Sequence, residues 1–279
     1  MHPDVPWQST GTAISDTEAR GGVLGVTPRP PMARMPCWRS EAMVVSEAPL
    51  RMPSLRACED FKQPWKAIEV SNSDNTYEPE LTGLLIVDPY NDFLSEGGKL
   101  YDYARSTLDA LDVVEHMRQV LAAARAAGVR VFIAPHHRWR ESDQYSRWKT
   151  MLPVQASTAQ AHAFADETWG GTFHPDFEPR RGDIVAQEHW LSSGFANTDL
   201  DLQLKKTGVR KLVVIGMRAN TCIESTVRFG AELGYEVTVV KDAIGSFGAA
   251  EMDASLTFSM PEYASAIITT GEIVKKLSA

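Results

Sequence analysis

Cysteine is scarce in this chain: 279 residues hold three, Cys37, Cys58 and Cys222. An odd number at wide spacing excludes a disulfide framework and any CxxC zinc pattern, and fits a reducing, cytoplasmic setting. No apolar run approaches the roughly 20 residues that a membrane-spanning helix requires, so no membrane role is expected. Basic charge is the minority sign, 28 Lys and Arg against 36 Asp and Glu for a net charge of −8, which argues against nucleic acid as a partner. No GxGxxG follows the first strand-like run and no GxxxxGK[ST] occurs anywhere, so neither dinucleotide nor P-loop phosphate binding has a motif behind it. A soluble, cytoplasmic globular protein is the expectation that these absences leave.

Proline is unevenly spread. Residues 1–55 carry Pro3, Pro6, Pro28, Pro30, Pro31, Pro36, Pro49 and Pro53 with no sustained helical or strand period. The segment "TPRPPMARMP" cannot build a helix, because each proline removes a donor and restricts the residue before it. Residues 1–55 are therefore expected to be a disordered N-terminal extension, and residues 56–279 the folded domain.

From about residue 80 apolar runs alternate with helical patterns. "LTGLLIVDPY", "VRVFIAP", "GDIVAQEHW", "KLVVIG", "YEVTVVKDA" and "ASAIITT" read as strands. Leu108, Leu111, Val114, Met117, Leu121 and Ala124 recur at helical spacing and predict one long helix from Tyr103 to Ala127, closed by Gly128. Alternation of this kind predicts an α/β fold: a three-layer α/β/α domain with a mostly parallel, Rossmann-like sheet of about six strands.

In such sheets ligands bind at the carboxyl ends of the strands. Those ends carry Asp88, then His136 and His137, then Glu188 and His189, then Cys222. If a helix opens near Thr221, the Cys222 thiol sits in its first turn, where unpaired N–H groups favour a thiolate and can hold an oxyanion; a lone cysteine is equally at home as a small buried hydrophobe. Asp88 is a base, or a turn cap beside Asn91 and Asp92. The pair says more than either alone, because a carboxylate next to a thiol can take its proton.

These residues resemble the isochorismatase-like cysteine hydrolases, over most of the chain from about Leu81 onward. "LLIVDPYNDFL" is similar to the family's first strand with its catalytic aspartate, here Asp88. "SGFANTDLDLQL" is similar to its serine–small–phenylalanine turn, with Ser193, Phe195 and Thr198, and "GMRANTCIEST" to its nucleophile segment, with Cys222. The resemblance implies a cis peptide at Met217–Arg218 and an oxyanion held by the N–H groups of Arg218 and Cys222. Thr221, Phe195 and Asn91 join Arg218 on the substrate-binding side, together with Trp190, which directly follows His189. No cofactor is implied, and a homo-oligomer is.

Two departures stand out. The family's third catalytic residue is a lysine at the end of strand three. Anchoring on Gly182 and Asp183 puts Glu188 there, while a slip of one or two residues puts His189 or Gln187 there instead. Glu188 and His189 are thus both candidate catalytic residues beside Asp88 and Cys222. A carboxylate next to Asp88 would need a proton or a cation, which His189 or Arg218 would supply. The second departure concerns metal. His136 and Arg138 stand where nicotinamidases of the family carry an aspartate and a histidine, so that ligand set is not preserved and no metal is expected; a different set from His136, His137, His174, Asp176 and Glu188 is the alternative. Tyr90, Trp139, Trp148, Trp169 and Trp190 are candidate pocket walls. The expected activity is cleavage of a C–N bond in a small amide-type substrate through a Cys222 thioester. The alternatives are vinyl-ether hydrolysis on the carboxylates and a catalytically silent binding homologue.

Overall fold

Thr82–Val87 form β1, and all six residues are buried, as expected of an apolar run covered on both faces of a parallel sheet. In the computed structural model, which describes residues 76–279, β1 lies between β2 (Arg130–Ala134) and β4 (Lys211–Met217), parallel to both. Beyond β2 lies β3 (Ile184–Val185), and beyond β4 lie β5 (Glu236–Gly245) and β6 (Ala266–Ile268). The order is β3-β2-β1-β4-β5-β6, parallel throughout, which matches the expected sheet. The division at residue 55, and Cys37 and Cys58, lie outside the described residues.

Strand side chains alternate between two cores. Leu84, Ile86, Val213 and Ile215 pack on one face with the helices α2 (Tyr101–Leu111) and α3 (Val113–Ala126). Leu85, Val87, Leu212 and Val214 pack on the other with α5 (Leu200–Lys206) and α6 (Glu224–Glu232). Burying both faces gives the three layers that the alternation predicted.

The expected single helix over 103–127 is two helices. Asp112 takes a left-handed conformation, φ 47° and ψ 45°, and ends α2 before α3 begins. Aspartate tolerates this region far better than a β-branched residue does, and the heptad-like spacing of apolar residues runs on across the break, so periodicity alone did not reveal it. Gly128, at φ 75°, closes α3 as expected.

Strand order runs outward in opposite directions from β1 and β4, so the crevice between their carboxyl ends is the switch point where such sheets bind ligands. Asp88 follows β1 and the 219–223 segment follows β4. Gly216 keeps the two strands close: a Cβ there would sit 2.1 Å from Val87 O, and its φ of 119° is one only glycine adopts readily. Although β3 is two residues long, the chain beyond it stays beside β2. Ala186 N–H donates to Ile133 O at 2.9 Å, His189 N–H to Pro135 O at 2.9 Å, and His137 N–H to His189 O at 2.8 Å. These bonds carry His189 to the same end of the sheet.

Candidate active site

Asp88 leaves β1 at φ 52°, and its N–H donates to Ala134 O at 3.1 Å. Its side chain is fully buried. Oδ1 lies 3.0 Å from His189 Nε2, and accepts a hydrogen bond from it in the tautomer that carries the hydrogen on Nε2. Oδ2 has no partner, and neither has His189 Nδ1. Between β4 and α6 the chain makes one wide turn, Ala219–Ile223, in which the N–H groups of Thr221 and Ile223 both donate to Arg218 O at 3.1 Å. This turn places Cys222, 6% exposed, so that donor atoms of Asp88, His189 and Cys222 all lie within 4.8 Å of one another. Met217–Arg218 is cis.

The electrostatics differ from the expectation of a lowered thiol pKa. Burial first, and the Asp88 carboxylate second, push the Cys222 thiol well above its ordinary range, against smaller opposing effects of Thr221 and the Arg218 N–H. A group in an apolar, acidic setting keeps its proton. The turn preceding α6 does not overcome that burial.

His136 borders the same space. Its Nδ1 meets His137 O at 2.8 Å, so Nδ1–H donates and Nε2 is a free acceptor when the ring is neutral. Burial, with His189 adding to it, lowers its pKa to about 4, so the ring is neutral near pH 7. Tyr90, wholly buried, donates its hydroxyl to His136 O at 2.7 Å and so fixes the backbone behind it.

Glu188 looks the other way. Its carboxylate meets His137 Nδ1 at 3.0 Å, Arg138 Nη1 at 2.5 Å and Arg140 Nη1 at 2.8 Å. Burial raises the carboxyl, but the bonds from His137, Arg140 and Arg138 outweigh it and hold the group well below the usual carboxylate range. The cations beside Glu188 are thus Arg138 and Arg140, not the expected His189 or Arg218, and they neutralise Glu188 rather than Asp88. At the position next to Asp88 stands His189, the register one residue further along.

A cavity of about 290 Å³ opens beside the thiol. Cys222, Thr221, Arg218 and His136 line it with an apolar wall that includes Phe93, Phe164 and Phe247. Trp190, Phe195 and Asn91 do not line it. Trp190 stacks on His137, centroids 3.6 Å apart, and Phe195 is core, packed on Tyr235. Asn91 Nδ2 donates to Trp169 O, Thr172 Oγ1 and Phe173 O, bolting that loop to the one-turn helix α1 (Asn91–Leu94). Asp92 continues the bolt, its Oδ2 accepting from Phe164 N–H at 2.7 Å and thereby setting the Phe164 wall. Ser193 Oγ accepts from Phe195 N–H at 3.1 Å, and Gly194 N–H donates to Thr226 Oγ1 at 2.9 Å, so this turn ties α6 to the crevice. Tyr90, Trp139, Trp148 and Trp169 are likewise absent from the lining.

The three phenylalanines of the wall were not among the residues expected from the sequence. Phe247 follows the carboxyl end of β5 and was open to the strand-end rule, had that rule been carried to the fifth strand. Phe93 lies inside the quoted "DPYNDFL". Phe164 belongs to the long segment between Arg138 and Arg181, where no motif marks it.

As to metal, Asp88, His189 and Cys222 are the one group among the described residues whose donors converge. The alternative set is scattered: His137 and Glu188 belong to the arginine cluster, and Asp176 pairs with Arg118 and His174. No helix among the described residues is long and apolar enough to cross a membrane.

A buried carboxylate, imidazole and thiol at the switch point of a parallel sheet define the class to which the comparisons also lead. Residues 82–272 match the model of the isochorismatase domain, and the chain belongs to the isochorismatase family. Ureidoacrylate amidohydrolase RutB of Pantoea ananatis is 32% identical over 182 residues, 62% of this chain and 72% of that protein. The protein of the same name from Caulobacter segnis is 30% identical over 207 residues, covering 70% and 85%. Among solved structures, a cysteine hydrolase from Pseudomonas syringae pv. phaseolicola 1448A superposes with a TM-score of 0.61 at 29% identity, over 73% of this chain and 95% of that one.

Proposed function

We propose that this protein hydrolyses a C–N bond of a small amide or ureide through a thioester on Cys222. The observation that carries the reading is the fully buried Asp88 carboxylate, with Oδ2 unpartnered and one of its oxygens within 4.8 Å of the thiol and of a His189 nitrogen. A buried acceptor without a bond is costly, and the thiol of Cys222 stands beside the carboxylate that holds it. The amidohydrolase names of the relatives agree in substrate class.

The raised thiol pKa sets the order of events. Asp88 takes the proton as the sulfur attacks the carbonyl carbon, and the carbonyl π electrons move to oxygen. The N–H groups of Arg218 and Cys222 hold that oxyanion. The C–N bond breaks, and the departing nitrogen takes the proton from Asp88. Water then gives a proton to Asp88 and attacks the thioester, and the thiolate leaves and recovers the proton. His189, through its bond to Asp88 Oδ1, takes over the part of the family lysine and orients the carboxylate. Glu188 orients His189 indirectly, by anchoring His137 and the arginines around it. His136, neutral with a free Nε2, accepts a substrate N–H.

The reading extends to a cytoplasmic homo-oligomer, supported by the family resemblance and the scarcity of cysteine; light scattering on the eluting protein gives the assembly. Activity is tested by release of ammonia or amine from a panel of ureides and primary amides, with Cys222→Ala alongside. Turnover by the wild-type protein alone supports the reading. Equal turnover by both proteins would instead assign the chemistry to the carboxylate and imidazole.

A further inference from the structure

Among the described residues, Arg218 is a half-buried arginine without a carboxylate in ion-pair range. Arg125, Arg138, Arg140 and Arg228 each spend the guanidinium on a carboxylate within 3.0 Å. The Nε of Arg218 donates to Thr221 Oγ1 at 3.3 Å, its Cζ lies 4.0 Å above the Phe247 ring, and its Nη groups have no hydrogen-bond partner among the described residues. Glu251 acts on it through space, without an ion-pair contact, and accepts a bond from Ser246 Oγ. Burial lowers the Arg218 pKa, as an uncompensated cation in an apolar setting requires.

Four features converge on this side chain. It lines the cavity that also holds Cys222. The rest of the wall is largely aromatic and aliphatic, so an anion entering it finds a low-dielectric setting in which one charge pair counts for more. A guanidinium offers a planar fork matched to a carboxylate, and here Nη is unspent. Stacking on Phe247 holds the plane in place.

Resting on the amide-hydrolase reading, we infer that the Arg218 side chain is an anion subsite and that the substrate is an amide or ureide bearing a carboxylate on a short, flat or apolar body. The backbone N–H of Arg218 serves the reacting carbonyl while its side chain reads the other end of the molecule. This makes Arg218 a specificity-determining residue.

A competing role exists for the same guanidinium. Thr221 Oγ1 lies 3.8 Å from Cys222 Sγ, so Arg218 could act on the thiol through Thr221. Matched pairs separate the two. We take 3-ureidopropionate with its methyl ester, and 4-carbamoylbenzoate with its methyl ester. Binding is measured by calorimetry on the Cys222→Ala protein, which needs no turnover, and kcat/KM on the wild-type protein. An anion subsite predicts that the acid of at least one pair binds roughly tenfold or more tighter than its ester. It predicts that Arg218→Gln in the Cys222→Ala background abolishes this preference and that Arg218→Lys keeps part of it. Acid and ester bound alike in both pairs, or a preference unchanged in Arg218→Gln, overturns the inference. Equal losses of kcat/KM on acid and ester, with their ratio kept, would assign Arg218 to the thiol and likewise overturn it. Selective binding of the acid without any turnover would sustain the subsite and count against the hydrolase reading. Turnover without selectivity would do the reverse.

Discussion

His189 Nε2 lies 3.0 Å from Asp88 Oδ1, with both side chains wholly out of water. A buried carboxylate that loses its one bonded partner carries a desolvation penalty of about 1–3 kcal/mol. His189→Ala is therefore expected to lower stability by about that amount in chemical denaturation, and to lower kcat by roughly 10²-fold or more by freeing the base to rotate. His189→Lys, which restores a donor of the kind the family uses, is expected to recover part of the kcat. Full activity in His189→Ala would remove the imidazole from the account.

The Cys222 thiol is held high by burial and then by the Asp88 charge. Asp88→Asn removes the second cause, so the thiol should titrate lower in that variant. The expected outcome pairs two opposite changes: turnover falls by roughly 10³-fold or more with loss of the base, while alkylation by iodoacetamide at pH 8 becomes faster than in the wild-type protein. Slower alkylation in Asp88→Asn would mean that the carboxylate activates the resting thiol instead.

How much of this was legible from the residues varies with the kind of signal. The β strands were visible because burial on both faces demands continuous apolar runs, and Asp88 and Cys222 were visible because one directly follows such a run and the other lies in the turn after one. The residue beside Asp88 was not, because Ile184–Val185 is only two residues long and the chain beyond it follows β2 through three spaced bonds; a strand that short sets no register, so Glu188 and His189 could not be told apart. The helix break at Asp112 left the apolar period intact. The pocket walls Phe93, Phe164 and Phe247 come from three separate segments, and only folding brings them together.

Acid should weaken the fold from two directions. His136 has its folded pKa lowered to about 4 from 6.5, so the unfolded chain binds the proton first. The neutral ring's contribution is fully present above pH 6.5 and is lost as pH falls from there toward 4, at most about 3 kcal/mol since the ring also borders the cavity. Glu188 has its folded pKa lowered from 4.5, so its contribution is present above that pH and declines as pH falls below it. Urea midpoints between pH 8 and 4 should fall most below pH 6.5, and His136→Asn should flatten the part between 6.5 and 4.

Gly216→Ala places a methyl 2.1 Å from Val87 O at φ 119°. Both atoms belong to central strands that have no room to part, so the variant is expected to lose more than about 3 kcal/mol and to accumulate as insoluble protein. Gly128→Ala, with open space around its Cβ, should cost only about 1 kcal/mol from its positive φ. Similar melting temperatures for the two would contradict the close approach of β1 and β4.

Intact-protein mass spectrometry after a brief exposure to hydrolysable ureides and amides tests the thioester most directly. An added acyl mass on the wild-type protein, located to Cys222 by peptide mapping and absent from Cys222→Ala, is the predicted result. Product formation with no adduct at any quench time, equal in both proteins, would show that the sulfur forms no bond to the substrate and would contradict the account.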